Sequence, residues 1–218
     1  LRGEGLKSVI SAEAASHNRM AVLAIAPILH LFGKITLPKN LGGDRIGPRP
    51  VNFHIDAYRQ FGAEIKETGE NFEIVCDELR GTTIELPYPS VSTTENILLA
   101  ATLAKGTTLI RGAAVEPEVI DLVLFLQKMG AIIDYQIDRT FIIEGVDKLH
   151  GALHEVIPDR LVAASFAVAA IASKGDLFVH GARQADLLTF LNNLRRVGGA
   201  DRVADLAVQP RQQRLLHG

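Results

Sequence analysis

Tryptophan is missing from the 218 residues, methionine occurs twice, and cysteine occurs once, at Cys76. One cysteine excludes an internal disulfide framework and fits a reducing compartment. An excess of charge is missing too: 23 basic and 25 acidic residues leave a formal net charge of -2. That balance speaks against nucleic-acid binding through bulk electrostatics. There is no aromatic stripe on which bases would stack. Long apolar runs are short of what a bilayer requires. The longest, such as "LVAASFAVAAIA", fall below the ~18 residues of a membrane span. The N-terminal "LRGEGLKSVISAEAASHNRM" has no apolar core of signal-peptide length. The expectation is a cytoplasmic protein with neither membrane nor nucleic acid as partner. No Walker loop, no G-x-G-x-x-G and no His/Cys/Asp spacing of a metal site occurs, so no metal and no cofactor is expected.

What is present is a repeat. With 47% hydrophobic and 22% charged residues, the chain has ordinary globular composition. Its length suits one large domain or two small ones. "FGAEI" begins at Phe61, "MGAII" at Met129 and "VGGA" at Val197, so the Gly-Ala marker returns at steps of 68 and then 69 residues. "AKGTTLIRGA" (Ala104–Ala113) returns as "SKGDLFVHGA" (Ser173–Ala182), and "LRGTTIELP" (Leu79–Pro87) as "LHGALHEVIP" (Leu149–Pro158). "LFGKITLP" (Leu31–Pro38) is a looser, earlier copy. A period this long is a copied α/β module rather than a solenoid unit.

The module reads helix, strand, helix, hairpin, strand. Its first helix is apolar all round in "TTENILLAATLAKG" and "DRLVAASFAVAAIASKG", which predicts burial on every face. "NRMAVLAIAPILHLFGK" has the same character, with Pro27 expected to kink it. The second helix is amphipathic: Val119, Leu122, Val123 and Leu126 keep helical spacing, as do Leu187, Leu188, Leu191 and Leu194. It ends at the Gly-Ala marker, where glycine can take a left-handed cap. Hairpins follow, "AEIKET-GEN-FEIVC" and "AIIDYQ-IDR-TFIIEG". Fully apolar helices alternating with amphipathic ones place helices at the centre and sheets outside.

The chemistry-bearing stretch is "LGGDRIGPRPVNFH", Leu41 to His54. Gly42, Gly43 and Gly47 permit unusual dihedrals. Pro48 and Pro50 stiffen the chain around Arg49, a guanidinium suited to gripping phosphate or carboxylate. Asp44, on the flexible side, is able to carry a proton. A solvated turn with an Arg–Asp pair would contain the same residues. In "YPSVSTTEN", Ser92 with Glu95 reads as a capping box, and its free N–H groups favour an anion. Arg19 opens an apolar helix and so requires an anionic partner, either a protein carboxylate or a ligand. Glu116, Glu118 and Asp121 read as helix-capping residues, and Asp159 with Arg160 as another helix start.

"LGGDRIGPRPVNFHIDAYRQFGAEI", "STTENILLAATLAKGTTLIRGAAVEPEVIDLVLFLQKMGAII" and "IEGVDKLHGALHEVIPDRLVAASFAVAA" resemble the UDP-N-acetylglucosamine 1-carboxyvinyltransferases, a family of enolpyruvyl transferases. The resemblance runs from Arg19 to Gly199, about half the family's length. It implies an inside-out α/β lobe of repeated modules. Residues 1–158 would belong to a first lobe, and residues 159–218 would start a second, with an atypical tail. It implies transfer of enolpyruvyl from phosphoenolpyruvate to the 3-hydroxyl of UDP-N-acetylglucosamine, the first committed step of peptidoglycan synthesis and so of cell-wall biogenesis, cell shape and division. No cofactor is implied. Asp44 stands where the family's general acid, usually cysteine, is found. Arg49 matches an arginine at the reacting groups, and Arg19 an arginine that faces the substrates from a helix start. Pro50, Val51, Asn52 and Phe53 match one nucleotide-binding segment, with Asn52 in place of a frequent aspartate. Ser90 and Val91 match another, with Ser92 in place of a common glycine. The family's N-terminal Lys-Asn pair and its second-lobe aspartate base have no counterpart in this sequence. A non-catalytic nucleotide-sugar-binding lobe and a shikimate-pathway transferase are the alternatives. Self-association or a complementing second lobe is the expected partnership.

One outcome follows from the carboxylate at the acid position. Asp44 is not a thiolate, so the epoxide antibiotic fosfomycin is expected to leave the chain unmodified on prolonged incubation. Intact-mass spectrometry showing an adduct mapped to Asp44 would contradict this.

Overall fold

The structure is a computed structural model that describes residues 5–43 and 50–196. The chain divides after His154 into two compact units.

The first unit contains two copies of the module. The segment read as one kinked helix is broken in two: a 3-10 helix at Arg19–Ala24 and helix α2 at Ile25–Phe32, following a short α1 at Ala12–His17. Pro27 falls in the first turn of α2, where its missing N–H would have no helical partner anyway. Strand β1 (Lys34–Pro38) follows, then α3 (Asn52–Gln60), the hairpin β2 (Glu64–Thr68) and β3 (Asn71–Val75), and β4 (Thr83–Glu85). The second copy runs α4 (Val91–Ala101), β5 (Thr107–Arg111), α5 (Pro117–Lys128), β6 (Ile132–Gln136) and β7 (Thr140–Glu144). In each copy the strand after the first helix pairs antiparallel with the second strand of its own hairpin, β1 with β3 and β5 with β7.

The copies are stitched by a borrowed strand. Strand β4 lies parallel to β5, with Ile84 opposite Ile110, and completes the order β4-β5-β7-β6. The first sheet, β1-β3-β2, receives the matching contact from the N-terminal segment: Val9 bridges Thr36 in parallel, and the Ile10 N–H donates to the Thr36 carbonyl at 3.0 Å. Helix α4 has no exposed residue and packs against α2, α3, α5, β5 and β7, as its apolar sequence predicts. Strand β2 keeps Glu64, Lys66 and Glu67 in solvent. Helices therefore sit inside and sheets outside.

Both amphipathic helices stop in the same way. After α3, Gly62 has φ +96° and the Ala63 N–H donates to the Tyr58 carbonyl at 2.9 Å. After α5, Gly130 has φ +99° and the Ala131 N–H donates to the Leu126 carbonyl at 3.0 Å. This is the bond that closes a helix through a left-handed residue, and it explains why the Gly-Ala pair recurs.

The second unit departs from the repeat. Helix α6 (Arg160–Ala172) starts at Asp159, whose carboxylate accepts from the Leu161 and Val162 N–H groups. A 3-10 helix (Gln184–Leu187) and α7 (Leu188–Arg196) follow. Sequence predicts α6 to be buried all round, yet only Ala163 is buried, and Leu161, Val162, Phe166 and Val168 are exposed. The stretches 149–158 and 176–180, read as strands, join no ladder. In the first two copies the strand equivalent to 176–180 pairs with its own hairpin, and the strand equivalent to 149–158 (β4) pairs with the next copy's strand. The corresponding hairpin of the third copy would follow Val197, outside the described residues, as does the third Gly-Ala marker.

Gly62 tests the shared cap. A methyl added there meets nothing within 4 Å, so Gly62→Ala is expected to cost only the left-handed backbone penalty, about 1–2 kcal/mol. Tyr58, Tyr88 and Tyr135 are the chain's tyrosines and all lie in the first unit. Tyrosine fluorescence during urea unfolding therefore reads this unit, and an unshifted midpoint would contradict the assignment.

Candidate functional site

Three helix starts converge in the first unit: Arg19 of the 3-10 helix, Asn52 of α3 and Val91 of α4. Ser90 caps α4, its hydroxyl accepting from the Thr93 N–H at 3.4 Å and its carbonyl from the Thr94 N–H at 2.9 Å. Ser92 was the expected cap. It lies instead in the first turn, its hydroxyl 3.4 Å from Nε2 of His54, because Ser90 already occupies the extended conformation that a cap requires. Val51 occupies the cap position of α3, is 8% exposed, and supplies no side-chain bond. The first N–H groups of α3 thus have no side-chain cap, the condition under which a helix start attracts an anion.

Beneath these starts lies a buried polar network that sequence reasoning missed. Asn96 is 1% exposed. Its amide nitrogen donates to the Val22 carbonyl at 3.1 Å and lies 3.0 Å from Nδ1 of His54, and its oxygen accepts from the Tyr58 hydroxyl at 2.7 Å. A carbonyl only accepts, so Val22 fixes which end of the amide is nitrogen. Nδ1 of His54 must then accept, and Nε2 carries the proton and faces Ser92. Burial drives the His54 pKa down to about 4, and the Arg19 guanidinium pushes it the same way, so the ring is neutral near pH 7. Burial raises the Tyr58 pKa, keeping its hydroxyl a donor. His54 and Tyr58 occupy the apolar stripe of α3 beside Ile55 and Ala57. Polar residues in that stripe were the available signal.

Arg19 donates to the Pro50 carbonyl at 2.9 Å, which ties the 3-10 helix to the chain entering α3. The Gly42 N–H donates to the Ala15 carbonyl at 2.7 Å, and a Cβ at Gly42 would overlap the Ser16 carbonyl. Both stems of the glycine- and proline-rich loop are therefore fastened to residues 15–19. Among the expected site residues, the structure gathers Arg19, Pro50, Val51, Asn52, Phe53, Ser90 and Val91 around the three starts. Asn52 and Pro50 are exposed, and Phe53 and Val91 half-buried. Asp44 and Arg49 lie outside the described residues.

The acidic group at α5 only partly follows expectation. Glu116 holds the cap position but makes no side-chain cap bond. Asp121 accepts from Nε2 of His154 at 3.0 Å instead of serving the helix start. Glu95, on α4, has its pKa raised to about 7 by burial and then by the charge of Glu118.

Residues 1–215 match the EPSP synthase (3-phosphoshikimate 1-carboxyvinyltransferase) family. Curated relatives named UDP-N-acetylglucosamine 1-carboxyvinyltransferase include one from Protochlamydia amoebophila, 45% identical, with 91% of this chain and 46% of the relative covered. One from Chlamydia pneumoniae is 41% identical, with coverages of 92% and 44%. The chain thus spans about half the length of the curated relatives it matches. Among solved structures, the enolpyruvyl transferase NikO from Streptomyces tendae aligns with TM-score 0.64 at 20% identity, covering 75% of this chain and 39% of that one. EPSP synthase from Acinetobacter baumannii aligns with TM-score 0.54 at 23% identity, covering 70% and 34%. At these identities the likeness concerns the fold.

Two buried groups set opposing pH dependences. Unfolded His54 protonates near 6.5 and folded His54 near 4, so the unfolded chain binds more protons in that window and stability rises with pH across it, by about 3 kcal/mol in all. Unfolded Glu95 ionises near 4.5 and folded Glu95 near 7, so stability falls as pH rises through that window. Glu95→Gln removes the second trend. Its urea midpoint is expected to climb from pH 4.5 to pH 7 more steeply than the wild type's, and parallel curves would refute the assignment.

Proposed function

The chain belongs to the EPSP synthase (3-phosphoshikimate 1-carboxyvinyltransferase) family, and we propose that it forms part of a UDP-N-acetylglucosamine enolpyruvyl transferase. Relatives bearing that name, 38–45% identical over most of this chain, support the substrate. The carrying observation is the convergence of the α3 and α4 starts beside Arg19, with α3 lacking a side-chain cap. Two helix starts and a guanidinium suit a nucleoside diphosphate sugar. Pro50, Val51, Asn52 and Phe53 on one side and Ser90 and Val91 on the other would hold the nucleotide.

In the reaction, the sugar 3-hydroxyl attacks C2 of phosphoenolpyruvate while a proton is delivered to C3. Phosphate then leaves the tetrahedral intermediate as a C3 proton is removed, restoring the double bond. Asp44 is assigned the proton transfer and Arg49 the charge at the reacting groups, with Arg19 at the diphosphate end. Such chemistry requires a closed, water-excluding cleft. Residues 1–158 are read as first lobe and 159–218 as the start of a second. The exposed apolar side chains of α6 support a complementing second lobe or self-association as the partner. The product would feed peptidoglycan synthesis, and through it cell shape and division, in the cytoplasm.

The family's description favours a second reading, in which the acceptor is a shikimate phosphate. Calorimetric titration separates the two. Saturable binding of UDP-N-acetylglucosamine is expected, lost in Arg49→Ala and weakened roughly tenfold in Arg19→Ala, the scale of one charge-assisted hydrogen bond. Binding of shikimate 3-phosphate in its place would move the chain to the second reading. A folded chain that binds neither would overturn both.

A further inference from the structure

The network under the helix starts has a geometry that packing alone does not demand. His54 belongs to the first turn of α3 and is 3% exposed. Both ring nitrogens face α4: Nδ1 lies 3.0 Å from Asn96 and Nε2 lies 3.4 Å from Ser92. Asn96 in turn reaches back to Tyr58 on α3 and to Val22 of the 3-10 helix. The ring is thereby locked in one tautomer, with its donor aimed at the first turn of α4. The firm contact is on the Asn96 side. The Ser92 contact exceeds the usual hydrogen-bond length, so slack remains at the end nearest Ser90 and Val91. The charged or titratable groups around the ring are Arg19 from the 3-10 helix and Tyr58 from its own helix.

We propose that His54 is a positioning residue: as a neutral Nε2–H imidazole anchored by Asn96, it sets the separation between the starts of α3 and α4. That separation determines how well the two turns together hold a nucleoside diphosphate sugar. His54 acts through Ser92 and does not touch the ligand. The ligand half of this inference rests on the function proposed above, whereas the coupling of the two helix starts is a property of the free chain.

The test uses the 218-residue chain and UDP-N-acetylglucosamine as probe. Histidine 15N NMR of the free chain is expected to show His54 as the single Nε2–H tautomer at pH 7. Adding the probe should sharpen its Nε2–H signal as the Ser92 contact shortens. His54→Asn keeps an acceptor for Asn96 but its amide is too short to place a donor where Nε2 faces Ser92, while His54→Gln keeps a donor toward Ser92. The expected order of affinity is wild type, then His54→Gln, then His54→Asn. His54→Asn and Ser92→Ala should each weaken binding roughly five- to tenfold, and the double variant no more than either alone, as coupled residues behave. A structural role without positioning predicts additive losses and no advantage for glutamine, and that result overturns the inference. So does an Nδ1–H tautomer, or unchanged amide shifts at residues 91–93 in His54→Asn. If the wild type binds no probe, the functional reading falls, and the tautomer and amide shifts still decide whether His54 couples the helix starts.

Discussion

The side-chain amide of Asn96 makes three contacts in three directions: to a backbone carbonyl of the 3-10 helix, to an imidazole of α3 and to a phenol of the same helix. It is buried, and a buried amide left unpaired would cost about 1–3 kcal/mol per group. The helices around it are therefore constrained beyond what apolar packing would require. Apolar residues of α4 such as Ile97 and Leu98, both buried, could slide against their neighbours with little change in buried area. Asn96 cannot slide without breaking bonds on more than one helix. Together with Thr94, whose buried hydroxyl accepts from the Ala114 N–H at 3.0 Å, it gives α4 a fixed depth and rotation.

From that fixed point the candidate site follows. Rotation of α4 places Ser92 toward α3 and leaves Ser90 and Val91 at the surface end. Rotation of α3 turns His54 and Tyr58 inward and Asn52 outward. The 3-10 helix, held through Val22, brings Arg19 to Pro50. The described chain up to Gly43 and from Pro50 onward is then tied to one short segment, residues 15–19. The same buried atoms that fix the packing of α3 and α4 underlie the proposed binding geometry.

The repeat builds the frame around this. Each sheet takes its outer parallel contact from the preceding stretch of chain, as β4 gives to β5 and Val9 to Thr36. A module is therefore incomplete on its own, and its apolar helix is covered only when its hairpin and neighbours are in place. Helix α4 meets that condition. Helix α6, as apolar in sequence, does not, and its exposed Leu161, Phe166 and Val168 mark what is not covered.

Sequence alone determined the module, its order of elements and the two hairpins, because hydrophobic period and glycine caps are local signals. It also marked the basic, glycine-kinked loop, because Gly and Pro impose backbone limits wherever they occur. Family resemblance assigned Arg19, Pro50, Val51, Asn52, Phe53, Ser90 and Val91 to one substrate site, an assignment that belongs to the proposed function. Tertiary structure decided what local signals do not encode. Ser90 rather than Ser92 caps α4, since both serines carry the same hydroxyl and only backbone conformation separates them. Asp121 serves His154, a partner distant in sequence. His54 and Tyr58 share α3, but Asn96 lies 38 residues beyond Tyr58 and joins them only when α3 and α4 cross. Period and propensity act between neighbours, whereas a hydrogen bond between distant residues depends on the packing that brings them within reach.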